Sequence, residues 1–191
     1  PIALITGATS GIGRATAQLL FKEGYRLIIT GRRSERLTEL SLDLNAGEDE
    51  ILIASFDVRD PEACESFVSE LPENWKDIQV LVNNAGLALG LSKFYDGSLE
   101  HWNTMLDTNV KGLLYMSKAV AKGMRERGRG DIVNIGSIAG KQVYDNGNVY
   151  CASKHAVDAL TQAMRLELAP AGIRVCGIHP GAVETEFSLV R

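Results

Sequence analysis

Ile2-Ala3-Leu4-Ile5-Thr6-Gly7-Ala8-Thr9-Ser10-Gly11-Ile12-Gly13 decides the fold. The stretch reads as a short apolar strand, a glycine-rich turn and the first residues of a helix. A helix N-terminus leaves N–H groups unbonded and carries the positive end of the helix dipole, and glycines let a ligand approach the backbone. Gly7, Thr9, Ser10, Gly11, Ile12 and Gly13 are therefore candidate phosphate-binding residues. The spacing, G-x-x-x-G-x-G, differs from the G-x-G-x-x-G dinucleotide fingerprint, and alone it fits a turn that merely closes a βα unit as well.

The same alternation runs outward along the chain. Apolar or β-branched runs at 2–6, 25–30, 51–56, 78–82, 132–136 and 173–178 read as strands. Amphipathic stretches predict helices over 12–23, 34–45, 61–71, 99–127 and 149–169, with Asp60-Pro61 as a start signal and Gly24, Gly47, Gly128 and Gly172 as stops. Strands apolar on both faces and separated by helices imply a parallel sheet covered on both sides. The expected fold is a doubly wound, three-layer α/β domain spanning residues 1–191.

Composition narrows the function classes. A chain of 191 residues, 45% hydrophobic and 23% charged, suits one compact domain. A net charge of −4 disfavours a phosphate-backbone binder, so no nucleic-acid partner is expected. No apolar run reaches membrane-spanning length and the start shows no signal-peptide pattern, which predicts a cytoplasmic protein without a membrane partner. Cys64, Cys151 and Cys176 are too widely spaced for a zinc site or a disulfide framework; they are read as reduced packing residues, with no metal expected. The basic stretch 124–129 reads as a solvated helix end. The long helix carrying Trp102, Met105, Leu106, Leu113, Leu114 and Met116 is apolar on more than one side, which allows packing against another subunit.

Ligand choice is legible after the second strand. The chain there reads Thr30-Gly31-Arg32-Arg33, without the acid that would bond the ribose hydroxyl of NAD. Arg32 or Arg33 can form charge-assisted bonds to a 2′-phosphate, so NADP (NADPH) is the expected cofactor. Asp57 and Val58 end the third strand, and Asn83-Asn84-Ala85-Gly86 ends the fourth, both on the ligand-binding edge of such a sheet. Asp57 could accept from the adenine amino group, Asn83 is a candidate cofactor-binding residue, and Ala85 and Gly86 would let the cofactor pass closely; Asn83 and Asn84 also suit a plain turn.

Tyr150-Cys151-Ala152-Ser153-Lys154 sets a phenol and an ammonium four residues apart, on one face of a helix. Ser137 and Asn109 can reach the same edge from other elements. Taking a proton from an alcohol needs a base near neutral pH, whereas a free tyrosine titrates near 10. An ammonium about 5 Å away, at an effective dielectric of about 20, favours the phenolate by roughly 3 kcal/mol, or about two pKa units. Ser137 could then hold the substrate oxygen, and Asn109 could position Lys154 or a relay water.

Together these residues resemble the short-chain dehydrogenase/reductase family over essentially the whole chain. The marks are Thr6-Gly7-x-x-x-Gly11-Ile12-Gly13, Asn83-Asn84-Ala85-Gly86, Asn109, Ser137, Tyr150-x-x-x-Lys154 and Pro180-Gly181. The resemblance implies a Rossmann-type sheet, Tyr150 as acid/base, Lys154 on the nicotinamide ribose, Ser137 on the substrate and Asn109 in a proton relay. It also implies that Pro180, Gly181, Val183 and Thr185 cradle the nicotinamide and that long helices build homo-oligomers, dimers or tetramers. Gly31-Arg32-Arg33-x-Glu35-Arg36-Leu37, 81–90 and 183–191 look like the NADP-dependent branch that oxidises serine, allo-threonine and other small 3-hydroxy acids. The expected substrate is thus a small alcohol or the matching ketone, with Arg191, Lys141 and His179 as candidates to bind a carboxylate. The alternatives are a broader carbonyl or 3-oxoacyl reductase, whose acidic carrier could dock on Arg125, Arg127 and Arg129, and a non-catalytic NADP-binding redox sensor. Family members continue into a substrate-covering helix and a further strand, which this sequence lacks after Arg191.

Overall fold

The structure is a computed structural model in which residues 1–186 are described; Arg191 and the other final residues lie outside them. Six parallel strands, β1 (Ile2–Thr6), β2 (Arg26–Gly31), β3 (Ile51–Ser55), β4 (Ile78–Asn83), β5 (Gly130–Ile135) and β6 (Ile173–Ile178), form one sheet in the order β3-β2-β1-β4-β5-β6. Helices α1 (Gly11–Lys22), α2 (Ser34–Asp43), α3 (Pro61–Ser69), α4 (Leu99–Leu106), α5 (Leu113–Arg127) and α6 (Asn148–Leu168) connect them. The doubly wound expectation therefore holds. The order reverses between β1 and β4, which opens a crevice at the carboxyl ends of those strands.

Side chains alternate across the sheet, yet all five residues of β1 are buried, because helices cover both faces. Leu4, Ile28, Leu81 and Ile132 pack with Met116 and Met124 on one face, whereas Ala3, Ile5, Leu27 and Ile29 pack with Leu37 and Leu40 on the other. Each fully buried Leu, Ile or Met side chain among these contributes about 1.5–3 kcal/mol. At the sheet edge, β6 reverts to strict alternation: Ile173 and Val175 are buried, Arg174 and Cys176 exposed. Cys64 and Cys151 are core residues as expected; Cys176 is not, because it faces outward on an edge strand.

Local signals explain the helix ends. The Asp60 carboxylate accepts the Glu62 and Ala63 N–H groups ahead of Pro61 at the start of α3. Gly128 and Gly172 stop their helices at φ +67° and +74°. After α2 the left-handed residue is Asn45, at φ +50°, rather than Gly47. The helix predicted over 99–127 spans those residues without a break, but its α-helical bonding is interrupted: α4 and α5 are joined by a wider π-helical turn, Asp107–Gly112. Such turns insert a residue and redirect the side chains around it, and here the turn carries Asn109.

Candidate active site

An open cleft of about 770 Å³ lies at the carboxyl ends of the strands, within the usual size range of cofactor sites. At one end is the turn from β1 to α1. Gly7 and Gly11 have left-handed backbones, at φ +66° and +53°. A Cβ on Gly13 would stand 2.3 Å from Asn84 Nδ2 and 2.4 Å from the Gly7 carbonyl, so glycine there permits helix-to-strand packing. The Ser10 side chain does not cap α1, and no acid occupies the first helical turn. The N–H groups and dipole of this helix thus remain available to an anion.

Asn84 fixes the turn from the other side. Its Nδ2 donates to the Thr6 and Gly7 carbonyls at 2.9 and 3.0 Å, and its backbone N–H donates to Thr6 Oγ1. Asn83, by contrast, does not line the cleft: its Nδ2 donates to Ser117 Oγ at 2.8 Å and Asn134 Oδ1 at 2.9 Å in the interior. Successive strand residues face opposite ways, which is why one asparagine of the pair meets the cleft and the other the core. Sequence reading assigned the cofactor role to Asn83 and overlooked the clamp made by Asn84.

Arg32, Arg33, Asp57 and Val58 line the far end. Arg33 Nη2 donates to Thr9 Oγ1 at 2.7 Å and Ser10 Oγ at 3.2 Å. Its Nη1 lies 3.4 Å from Glu186, whose carboxylate also takes Arg36 Nη1 at 2.6 Å. Hydrogen bonding and charge from Arg36, aided by Arg33, hold the Glu186 carboxyl below the usual range. Burial pushes the Asp57 carboxyl up, but bonds from Arg59 and the charges of Arg59 and Arg32 outweigh it, so Asp57 stays ionised.

At the reacting end, Tyr150 and Lys154 both open onto the cleft from α6 while only 8% and 6% exposed. Lys154 Nζ donates to the Ile135 carbonyl at 2.9 Å, and burial pushes its pKa down to about 8. Ser137 lines the cleft beyond β5, its Oγ accepting the Ala139 N–H at 3.1 Å. Asn109 is buried beneath. Its Oδ1 accepts the Leu87 N–H, while its Nδ2 donates to the Leu87 carbonyl and to Ser153 Oγ. Ser153 Oγ in turn donates to the Tyr150 carbonyl at 2.7 Å. Among the described residues Asn109 makes no bond to Lys154; it binds the loop after β4 to α6. Ser153 was not legible as a functional residue in the sequence, although it sits between the phenol and the ammonium.

Ala85, Gly86, Pro180, Gly181, Val183 and Thr185 also line the cleft. Thr185 packs over Gly11: a Cβ on that glycine would be 3.3 Å from the Thr185 Cβ. Lys141 and His179 do not reach the cleft; both face Asp158, at 2.7 and 3.4 Å. Arg191 lies outside the described residues. Arg127 and Arg129 pair with Asp77, which occupies two cations of the proposed carrier-docking tip. Among the described residues no group of His, Cys, Asp and Glu could hold a metal ion, and no helix is long and apolar enough to cross a membrane.

A family model for short chain dehydrogenases matches residues 1–189. The NADP-dependent 3-hydroxy acid dehydrogenase YdfG of Salmonella typhi is 50% identical over 191 residues, covering all of this chain and 76% of that protein. A serine 3-dehydrogenase of Rhizobium radiobacter is 44% identical over 188 residues, covering 98% of this chain and 74% of its own length. Among solved structures, the closed form of a serine dehydrogenase complexed with NADP+ superposes with a TM-score of 0.95 at 47% identity, covering 100% of this chain and 76% of that one.

Proposed function

The chain belongs to the short chain dehydrogenase family, and from that premise we propose that it transfers a hydride between NADP(H) and small 3-hydroxy acids such as serine or allo-threonine. One observation carries the reading. A deeply buried tyrosine and lysine open onto the same cleft as an uncapped helix N-terminus and an arginine pair. The activities named for the relatives support the choice of substrate and cofactor.

The residues fit the cofactor. Gly7 and Gly11 line the cleft at the start of α1, whose free N–H groups suit the pyrophosphate, while Gly13 lets that helix pack close to Asn84. Arg32 and Arg33 suit the 2′-phosphate and Asp57 the adenine amino group, while Pro180, Gly181, Val183 and Thr185 suit the nicotinamide. When bound, the oxidised nicotinamide supplies the acceptor for the hydride leaving the carbinol carbon. Tyr150 takes the hydroxyl proton, Ser137 Oγ orients the same oxygen, and Lys154 lowers the phenol's proton affinity through its charge. Asn109 keeps the loop after β4 and the start of α6 in register. The redox-sensor alternative has no use for such a buried pair.

The subunits assemble as homo-oligomers, a reading supported by exposed Leu99 and Leu106 on α4 and Leu166 on α6; light scattering after size exclusion tests it. Three free cysteines suit a reducing cytoplasm. The activity is tested by following NADPH formation with D- and L-serine, allo-threonine, 3-hydroxybutyrate and simple secondary alcohols. Preferential oxidation of a 3-hydroxy acid with NADP is expected. Turnover confined to plain alcohols would favour the broader carbonyl reductase.

A further inference from the structure

Lys141 and His179, absent from the cleft, belong to a cluster behind Ser137. The Ser137 carbonyl accepts the Gly140 N–H at 2.9 Å and faces His179 Nδ1 at 3.2 Å. The other ring nitrogen, Nε2, lies 3.4 Å from Asp158 Oδ1 on α6. That carboxylate is itself anchored, by Lys141 Nζ at 2.7 Å and Gln162 Nε2 at 3.0 Å. Shape fixes the ring as well: a Cβ on Gly136 would stand 2.7 Å from Nδ1, and one on Gly177 would stand 3.1 Å from Nε2. Two glycines therefore leave a slot that the imidazole fills.

The slot lies where two loops meet. The Gly136 N–H donates to the Ile178 carbonyl at 2.7 Å, and the Ile138 N–H donates to the Pro180 carbonyl at 3.0 Å. Ser137 sits between these bonds in an extended conformation, φ −169° and ψ 159°. A change in ψ at Ser137 would re-aim the Cα–Cβ bond relative to the anchored carbonyl and carry Oγ away from the substrate position, and a small misplacement of such a group is costly to rate. We infer that His179, braced by Asp158, is a positioning residue that sets the direction of Ser137 Oγ. The inference rests on the proposed role of Ser137.

The test compares His179→Phe, which keeps a ring but loses both nitrogens, with His179→Asn, whose amide can replace Nδ1. H179F should lower kcat about tenfold with the KM for NADP within about twofold of wild type, and H179N should recover most of the loss. In a Ser137→Ala background H179F should cost less than about twofold, because residues acting as one unit are non-additive. An equal loss in both backgrounds, no loss, or a matching rise in the KM for NADP would overturn the inference. Hydrogen exchange gives a readout independent of turnover. The Gly140 amide should lose about tenfold protection in H179F while Leu4 in β1 is unaffected. Unchanged Gly140 protection in an active enzyme overturns the positioning role alone. A wild type that oxidises no member of the substrate panel overturns the oxidoreductase reading, and the positioning role with it.

Discussion

An ammonium buried as deeply as that of Lys154 opposes folding, since burial disfavours the charged form. Its pKa of about 8, against an ordinary 10.5, corresponds to about 3 kcal/mol. Between pH 8 and 10.5 the unfolded chain binds more protons than the folded one, so this opposition fades as pH rises through that window. Lys154→Met should therefore stabilise the protein at pH 7 by about 1–2 kcal/mol, after allowing for the lost bond to the Ile135 carbonyl, and should abolish turnover. Urea unfolding at pH 7 and pH 10 checks this: the gap between variant and wild type should shrink at the higher pH, and a gap independent of pH would refute it. At the opposite end of the cleft, Arg33→Ala should raise the KM for NADP at least about tenfold more than that for NAD, in paired kinetics with the two cofactors. The Glu186 carboxylate sits against the same guanidinium; fluorescence titration of Glu186→Gln should show NADPH binding about two- to fivefold tighter. The phenol–ammonium pair was legible because four residues make one helical turn. Asn84 and Ser153 were not, because Asn84 bonds backbone carbonyls of the β1 turn and Ser153 meets the Asn109 side chain from the π turn, partners that only the tertiary fold brings near.

The strands matched their sequence patterns to within two residues, since runs apolar on both faces bounded by glycine and charge have few other readings. The π turn between α4 and α5 escaped because its cause is tertiary. At Gly112 a Cβ would stand 2.7 Å from Val58 Cγ2, so the chain passes the loop between β3 and α3 more closely than a side chain allows. Thr108, Val110 and Gly112, weak helix formers within the turn, were the available local signal. Gly112→Ala should destabilise by about 1–3 kcal/mol, and Val58→Ala in the same chain should restore part of it. Chemical denaturation of the three variants measures this; a neutral G112A would mean that the close passage is not what shapes the turn.

At the scale of the whole molecule, two cores on opposite faces of one sheet hold the carboxyl ends of β1, β4 and β5 in fixed relation. The glycine turn, the arginine pair and the Tyr150–Lys154 face thereby open onto one cleft. Its location followed from the alternation of strands and helices, because such a sheet binds ligands where the strand order reverses. The direction of each side chain did not follow: Lys141 and His179 turned to Asp158 instead of the cleft, a choice made by packing against α6. The proposed hydride transfer depends most on Tyr150 as the proton-transferring group. Its most direct test is steady-state NADPH formation from a 3-hydroxy acid by Tyr150→Phe, with NADPH affinity measured on the same sample. Turnover should fall by at least about a thousandfold while affinity changes less than about threefold; turnover near wild type in a variant that still binds NADPH would contradict it.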